Sequence, residues 1–550
     1  MAAIRMTGGE ALAAQLAREG VGTVFGVPGI QLDYAMDGLA QRRDEIRFVG
    51  ARHEQGAGYF ADGFARATGD PGVFMVVPGP GLLNAGAALA TAYACSSRVV
   101  CIAGQLPSRA IGQGLGILHE IPGQSELLAS LTKWSAMART PAEIPGLVRD
   151  AFKQVRSGRP RPVGLEIPPD VLKAAADVTL LDSAPAEPLL PDPDEIEQAA
   201  RILAGAERPV ILAGGGVAAA GASAALARLA EALDAPVVTS RNGRGAISDR
   251  HPLALTMLGG RQVLPEADVV LAVGTRFITL TGQPVVTDPG TRVILINADP
   301  DDLGGPRKPE ATVLADARLA LEALAAALPA GTRPAKRTAE VADVRAWCDE
   351  QLRAISPQIA WLTAIREALP DNGVFVDELT QVGYASRVHY PVYEPRTYLT
   401  PGYQGTLGYG FPTGLGAKVA RPDVPVVSIS GDGGFGWNLQ ELSTARKYGI
   451  GLITVVFADG YFGNVRRIQQ EDFGRTIGTE LANPDFVALA RTFGVSATRV
   501  ATPEQLSGVI REAGAGSEPL LVEVPVGEMP SPWHLLAEPT YDGTQAPAAR

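Results

Sequence analysis

The chain has 550 residues, 46% of them hydrophobic and 19% charged; at roughly 100–200 residues per domain that fills three or four cores and excludes a mainly disordered or fibrous protein. Lys and Arg number 48 against 59 Asp and Glu, a net charge of −11 with no basic run, so nucleic acid and anionic membrane are not the expected partners and a small molecule is. Cys95, Cys101 and Cys348 form no CxxC, and there is neither a signal-peptide core nor an uncharged apolar span, which makes the cytoplasm the expected location and a membrane association unexpected.

Taken in chain order, short apolar runs of strand length recur between longer Ala-rich segments with helical spacing. VFGV (24–27), VFMVV (73–77), VVCIA (99–103) and VGLEI (163–167) form a first group. PVILA (209–213), PVVT (236–239), DVVLAV (268–273) and RVILIN (292–297) form a second, and VFVD (374–377), VVSIS (426–430), ITVVF (453–457) and LLVEV (520–524) a third. Continuous apolar strands alternating with helices read as parallel sheets covered on both faces by crossover helices. The expected fold class is therefore α/β, with three doubly wound parallel-sheet domains. Pro- and charge-rich stretches at 183–195 and 329–340 carry no apolar period and predict domains over 1–182, 190–332 and 345–535, with a tail at 536–550. A faint echo between SGRPRPVGLEIP (157–168) and GSEPLLVEVPV (516–526) hints that the first and third units are related.

The residues that carry chemistry lie at the ends of these strands. The first unit holds RHEQGAGYFADGFAR (52–66), which reads as a helix with an acidic residue, Glu54, in its first turn and small residues for close packing; His53 beside it reads as structural. The loop 111–120 ends in Leu118-His119, and with five histidines in the chain His119 is the best candidate for a titratable group handling substrate protons. In the middle unit Gly214, Gly215 and Gly216 follow a strand, but GGG is not GxGxxG, and no strand end supplies the fingerprint of a nicotinamide-dependent oxidoreductase.

The strongest signal is in the third unit. VVSIS runs into Gly431-Asp432-Gly433-Gly434-Phe435, and ITVVF runs into Ala458-Asp459-Gly460-Tyr461-Phe462-Gly463-Asn464. Asp432 and Asp459 are 27 residues apart, one β-α-β crossover, which brings both carboxylates to the same edge of a parallel sheet, where ligands of such folds bind. Two oxygen donors there suit one hard cation, and Gly431, Gly433 and Gly434 let backbone N–H groups approach a diphosphate at the start of the next helix.

On these motifs the sequence resembles the thiamine diphosphate enzyme family, whose pattern is GDG followed some 25–30 residues later by an Asn-rich strand end. The acetolactate-synthase-like branch is matched also by 52–66, by VPGPGLLN (77–84) with Gly79, and by GTLGYGFP (405–412). The resemblance covers nearly the whole chain and names its units as pyrimidine-binding, middle and diphosphate-binding domains. It implies that Asp432, Asp459 and the carbonyl of Tyr461 hold Mg²⁺ on the cofactor's diphosphate, with Phe462 and Gly463 alongside. It also implies that a buried Glu54 of raised pKa pairs with N1′ of the aminopyrimidine and that Leu407 is the wedge bending the cofactor. Two departures stand out: Ala458-Asp459 replaces the usual Asn-Asn, and Leu118-His119 replaces a Phe-Gln or Leu-Gln pair.

The implied activity is cleavage or formation of the C–C bond next to a carbonyl, led by 2-oxoacid decarboxylation with carboligation. A benzaldehyde-lyase-like hydroxyketone lyase is the alternative, favoured by the absence of a phenylalanine before position 119. A non-catalytic paralogue is the alternative of another class, should Ala458-Asp459 weaken cofactor binding. Substrates would be 2-oxoacids, hydroxyketones or aldehydes, and the active species a homodimer or homotetramer in which Glu54 of one subunit meets Asp432 and Asp459 of another. FAD is left open, because segments like 273–277 contact flavin in some members and persist in others without it.

Overall fold

The computed structural model describes residues 3–279, 282–305, 307–329 and 336–537. The tail expectation falls mostly on 538–550, outside these. Each of three domains carries a six-stranded, all-parallel sheet flanked by helices. All twelve expected strands are present, and they are the four central strands of each sheet: Thr23–Gly26, Gly72–Val76, Val99–Gly104 and Val163–Ile167 in the first, for example. Both edge strands of every sheet escaped the hydropathy pattern. For the exposed edges the reason is burial: central strands such as Val99–Gly104 are buried along their whole length, whereas Trp134–Met137 and Ser496–Arg499 have no fully buried residue and no continuous apolar run; Tyr398–Leu399 and Ala254–Thr256 are largely buried but only two and three residues long.

Strand order separates the domains into two kinds. Numbered along the chain within each sheet, the first and third both run 2-1-3-4-6-5, so Val163–Ile167 and Leu520–Pro525, the echoed segments, occupy equivalent places. The middle sheet runs 3-2-1-4-5-6, the order of dinucleotide-binding domains. A two-stranded antiparallel pair, Ile4–Thr7 with Ala175–Val178, closes the first domain.

The first and third domains share one apolar core, in which Phe25, Phe60 and Phe74 of the former pack with Phe411, Phe435 and Phe486 of the latter; the middle domain has a core of its own. What lets the two domains fuse is helix contact at backbone distance. Helix Glu54–Thr68 lies against helix Gly410–Ala420, and a Cβ at Gly63 would strike the carbonyl of Thr413 while one at Gly416 would strike that of Phe60. No helix among the described residues is long and apolar enough to cross a membrane.

Gly63→Val should therefore force the helices apart, at a cost of roughly 1–3 kcal/mol or more from overpacking. A thermal denaturation curve superimposable on the parent's would contradict the close crossing.

Candidate active site

Strands Val426–Gly431 and Ile453–Ala458 are hydrogen-bonded neighbours, with Gly431 paired to Phe457. The turn after each carries its aspartate at the same sheet edge. Gly431 caps a short helix, Asp432–Phe435, and Phe462 precedes helix Gly463–Phe473 without a side-chain cap, leaving first-turn N–H groups facing the turn. Asp432 is only 3% exposed. Its Oδ1 accepts from Gly433 N (2.9 Å), while Oδ2 accepts from Gly460 N (2.7 Å) and Asn483 Nδ2 (2.6 Å), so one carboxylate ties the two turns together. Asp459 Oδ1 accepts from Tyr461 N (2.9 Å) and Oδ2 from Gln381 Nε2 (2.8 Å).

Burial pushes the Asp459 carboxyl above the usual carboxylate range and the charge of Asp432 adds to it, although the Tyr461 N–H and Gln381 amide pull the other way. Two mutually repelling, partly desolvated carboxylates in one corner form a hard-oxygen donor set that a divalent cation would relieve, so these residues fit Mg²⁺. The glycines divide in their purpose. A Cβ at Gly433 would meet the Phe462 ring and one at Gly434 the carboxylate of Glu378, whereas one at Gly431 would meet only Thr380 at ordinary contact distance. The Gly433 N–H, expected to be free for a diphosphate, is engaged by Asp432.

Leu407, Gly431, Asp432, Gly433, Gly434, Asp459, Tyr461, Phe462 and Gly463 line a single cavity of about 200 Å³. Glu54, Gly79 and His119 do not line it and stand on the first domain. Glu54 opens its helix, half-buried, with Oε2 accepting from Asn84 Nδ2 (2.9 Å); the fuller burial expected for it is not supplied by its own chain. His53, read as structural, caps that helix: its Nδ1 accepts from Gln55 N (3.1 Å). Gly79, at φ +60°, backs onto the carbonyl of His119, and a side chain at 79 would collide with it. His119 itself has φ +68°, rare for a residue with a Cβ, and its Nδ1 lies 3.1 Å from Gln31 Oε1.

Motif reading missed two buried glutamates. Glu378, one residue past the run VFVD, spans three segments of the third domain. Glu441 accepts from Arg52 N (2.9 Å), His53 N (3.0 Å) and Thr444 Oγ1 (2.6 Å), fastening the start of the Glu54 helix to the segment that follows the 431–435 turn. Apart from Thr444, three residues after Glu441, their partners are too distant in sequence to form a motif; the signal available was a carboxylate just past a central parallel strand in the first case and only that one nearby hydroxyl in the second.

With this architecture and edge-of-sheet site in view, the class is settled by comparison: the chain belongs to the thiamine pyrophosphate enzymes. Residues 6–127 match the family's N-terminal thiamine pyrophosphate binding domain, 196–324 its central domain and 380–524 its C-terminal thiamine pyrophosphate binding domain. Within the family it is acetolactate-synthase-like. It is 35% identical to a probable acetolactate synthase large subunit of Methanocaldococcus jannaschii, over 94% of this chain and 92% of that one. It is 36% identical to a probable 2-ketoarginine decarboxylase of Pseudomonas aeruginosa (93% and 92% covered) and 32% identical to the large subunit of acetolactate synthase isozyme 2 of Escherichia coli (96% and 97%).

Glu441 gives a pH prediction. Burial pushes its carboxyl up from 4.5 to about 7 despite three donors, so between those values the folded chain keeps a proton that the unfolded chain has lost. The stability this contributes is complete below about 4.5 and gone once the pH has risen through about 7. Relative to Glu441→Gln, the parent should lose stability between pH 5 and pH 8, by an amount on the order of 1–3 kcal/mol, seen as a falling melting temperature. Parallel melting curves for the two across that range would refute it.

Proposed function

We propose that the chain is a thiamine diphosphate- and Mg²⁺-dependent enzyme that decarboxylates a 2-oxoacid and ligates the remaining fragment to a second carbonyl compound. The observation that carries this is the pair of neighbouring strand-end carboxylates, Asp432 and Asp459, beside the uncapped N-terminus of helix Gly463–Phe473. Asp432, Asp459 and the carbonyl of Tyr461 would hold the cation, and the first turn of the helix the diphosphate. Bound thiamine diphosphate supplies a nucleophilic carbon that adds to a carbonyl and accepts the electrons left when the neighbouring C–C bond breaks. With that cofactor bound, Glu54 would hold a proton against its aminopyrimidine ring, Leu407 would support it from the cavity wall, and His119 would handle protons at the substrate.

The active species is proposed as a homodimer or homotetramer, in the reducing interior of the cell. A cavity of about 200 Å³ falls below the roughly 300–1,000 Å³ usual for small-molecule sites, as half a site would. Large apolar side chains are exposed beside both halves, Leu83, Leu115 and Leu118 on the first domain and Trp437, Val465 and Ile477 on the third. A cavity of about 710 Å³, lined by Gly215, Gly216, Gly274 and Arg276 of the middle domain together with Arg98 and Arg159 of the first and Tyr403 of the third, opens where the 3-2-1-4-5-6 order reverses. That supports a dinucleotide-sized ligand, FAD being the one to test by flavin absorbance of the purified protein.

A second reading, decarboxylation ending in protonation to an aldehyde, is favoured by His119, an imidazole at the loop position where the family pattern places glutamine. It accords with the 2-ketoarginine decarboxylase resemblance. The hydroxyketone lyase remains the alternative outcome of the same screen: incubation with pyruvate, 2-ketoarginine, other 2-oxoacids and benzoin, scoring carbon dioxide, aldehydes and ligated products. Carbon dioxide release with a ligated product is expected; cleavage of benzoin alone would overturn the proposal in favour of the lyase. His119→Gln should shift products from aldehyde towards ligation, and an unchanged ratio would return His119 to a structural role. Asp432→Ala should abolish Mg²⁺-dependent cofactor binding while the fold persists, which titration with thiamine diphosphate reads directly; unchanged affinity would refute the metal assignment.

A further inference from the structure

Leu407 projects into the cavity from a loop with no secondary structure of its own, yet a wedge must be placed to within a fraction of an ångström to be useful. Its neighbours explain how. On one side, Thr406 Oγ1 accepts from Tyr59 OH (2.8 Å) and lies 2.9 Å from Thr91 Oγ1, which pins the loop to the first domain. On the other, the Gly408 carbonyl accepts from Asn438 Nδ2 (2.7 Å), while the Gly408 N–H donates to Glu378 Oε1 (2.5 Å). Glu378 Oε2 accepts from Ser430 Oγ (2.5 Å) and Gly410 N (3.3 Å).

One side chain, 1% exposed, thus joins the end of strand Val374–Val376, the loop carrying Leu407 and the last turn of strand Val426–Gly431 before Asp432. The surrounding sequence is shaped to admit it. A Cβ at Gly434 would occupy the space of its carboxylate, and one at Gly410 would sit 2.9 Å from Oε2. Gly434 of the GDGG motif therefore makes the room that Glu378 occupies. Burial pushes the carboxyl up to about 7, and the Ser430 hydroxyl and the N–H groups of Gly408 and Gly410 pull it back. Replacing any of those donors would strand it in the core.

We propose that Glu378 is the positioning residue that fixes the 406–410 loop, and with it Leu407, against the 431–434 turn that holds the diphosphate. This rests on the thiamine diphosphate reading of Leu407 and of that turn. Glu378 touches neither cofactor nor substrate in this role; it acts through Leu407. Losing it should leave the cofactor bound but badly bent, so turnover should fall far more than affinity.

The test is a double-mutant cycle on the holoenzyme, combining Glu378→Gln with Leu407→Ala and measuring kcat, the dissociation constant of thiamine diphosphate and the near-ultraviolet circular dichroism of the bound cofactor. Glu378→Gln keeps the shape and one acceptor but turns an amide NH₂ towards donors, and should lower kcat by about 10–100-fold with cofactor affinity changed by no more than about threefold. In the Leu407→Ala background the same substitution should cost less than about threefold, because the wedge it positions is gone. Its dichroism should resemble that of Leu407→Ala. Glu378→Asp, shorter by one methylene, should recover part of the loss. Additive effects across the cycle, or a loss confined to cofactor affinity, would overturn the proposal while leaving the enzyme reading intact. A parent chain that binds no thiamine diphosphate would overturn both.

Discussion

Two carboxylates held at the ends of adjacent parallel strands repel each other, and the third domain is built to hold them there. Asp432 cannot swing away, because its two oxygens carry the N–H groups of Gly433 and Gly460 and the amide of Asn483. Asp459 is held by Tyr461 N and Gln381. These bonds fix both acids from the protein side and leave a corner of unbalanced negative charge, an electrostatic cost that a bound cation would offset. Strand pairing, turn glycines and the uncapped helix all serve to keep that corner in register with the cavity.

The same economy runs through the interface between the first and third domains. Their sheets have identical strand order and share one core, and the contact helices meet at glycines, so neither domain can shift without disturbing the other. Buried polar groups then exploit this rigidity. Glu441 anchors the start of the Glu54 helix, and Tyr59 and Thr91 anchor the loop of Leu407. On the proposed assembly, Glu54 serves one site and Leu407 of the same chain serves another, so each chain would carry the complementary halves of two sites on one rigid body.

Legibility in the sequence followed burial and local spacing. Central strands could be read because both of their faces are covered and apolar residues dominate them, even where a Glu166, Ser428 or Glu523 interrupts the run; edge strands such as Arg47–Gly50 have residues open to solvent and no run as long. The grouping of the two strand-end turns could be read because each turn is local, and eight of their residues come together with Leu407 in one cavity. Glu378 and Glu441 could not, since most of their partners are backbone groups, 30 and 32 residues away for Glu378 and nearly 390 for Glu441, that leave no trace in composition. The purpose of a glycine was likewise hidden: Gly434 sits in a phosphate-binding pattern but makes room for a glutamate.

On the proposed assembly, the diphosphate half of each site comes from one chain and the proton-relay half from another. Mixing two variants, Glu54→Gln and Asp432→Ala, after reversible dissociation tests this most directly. Each variant alone should be nearly inactive, yet mixed dimers should regain activity, because one of their two sites then receives an intact Glu54 and an intact Asp432 from different chains. Failure of the mixture to exceed the separate variants, with mixed dimers demonstrably formed, would show that both residues act from the same chain.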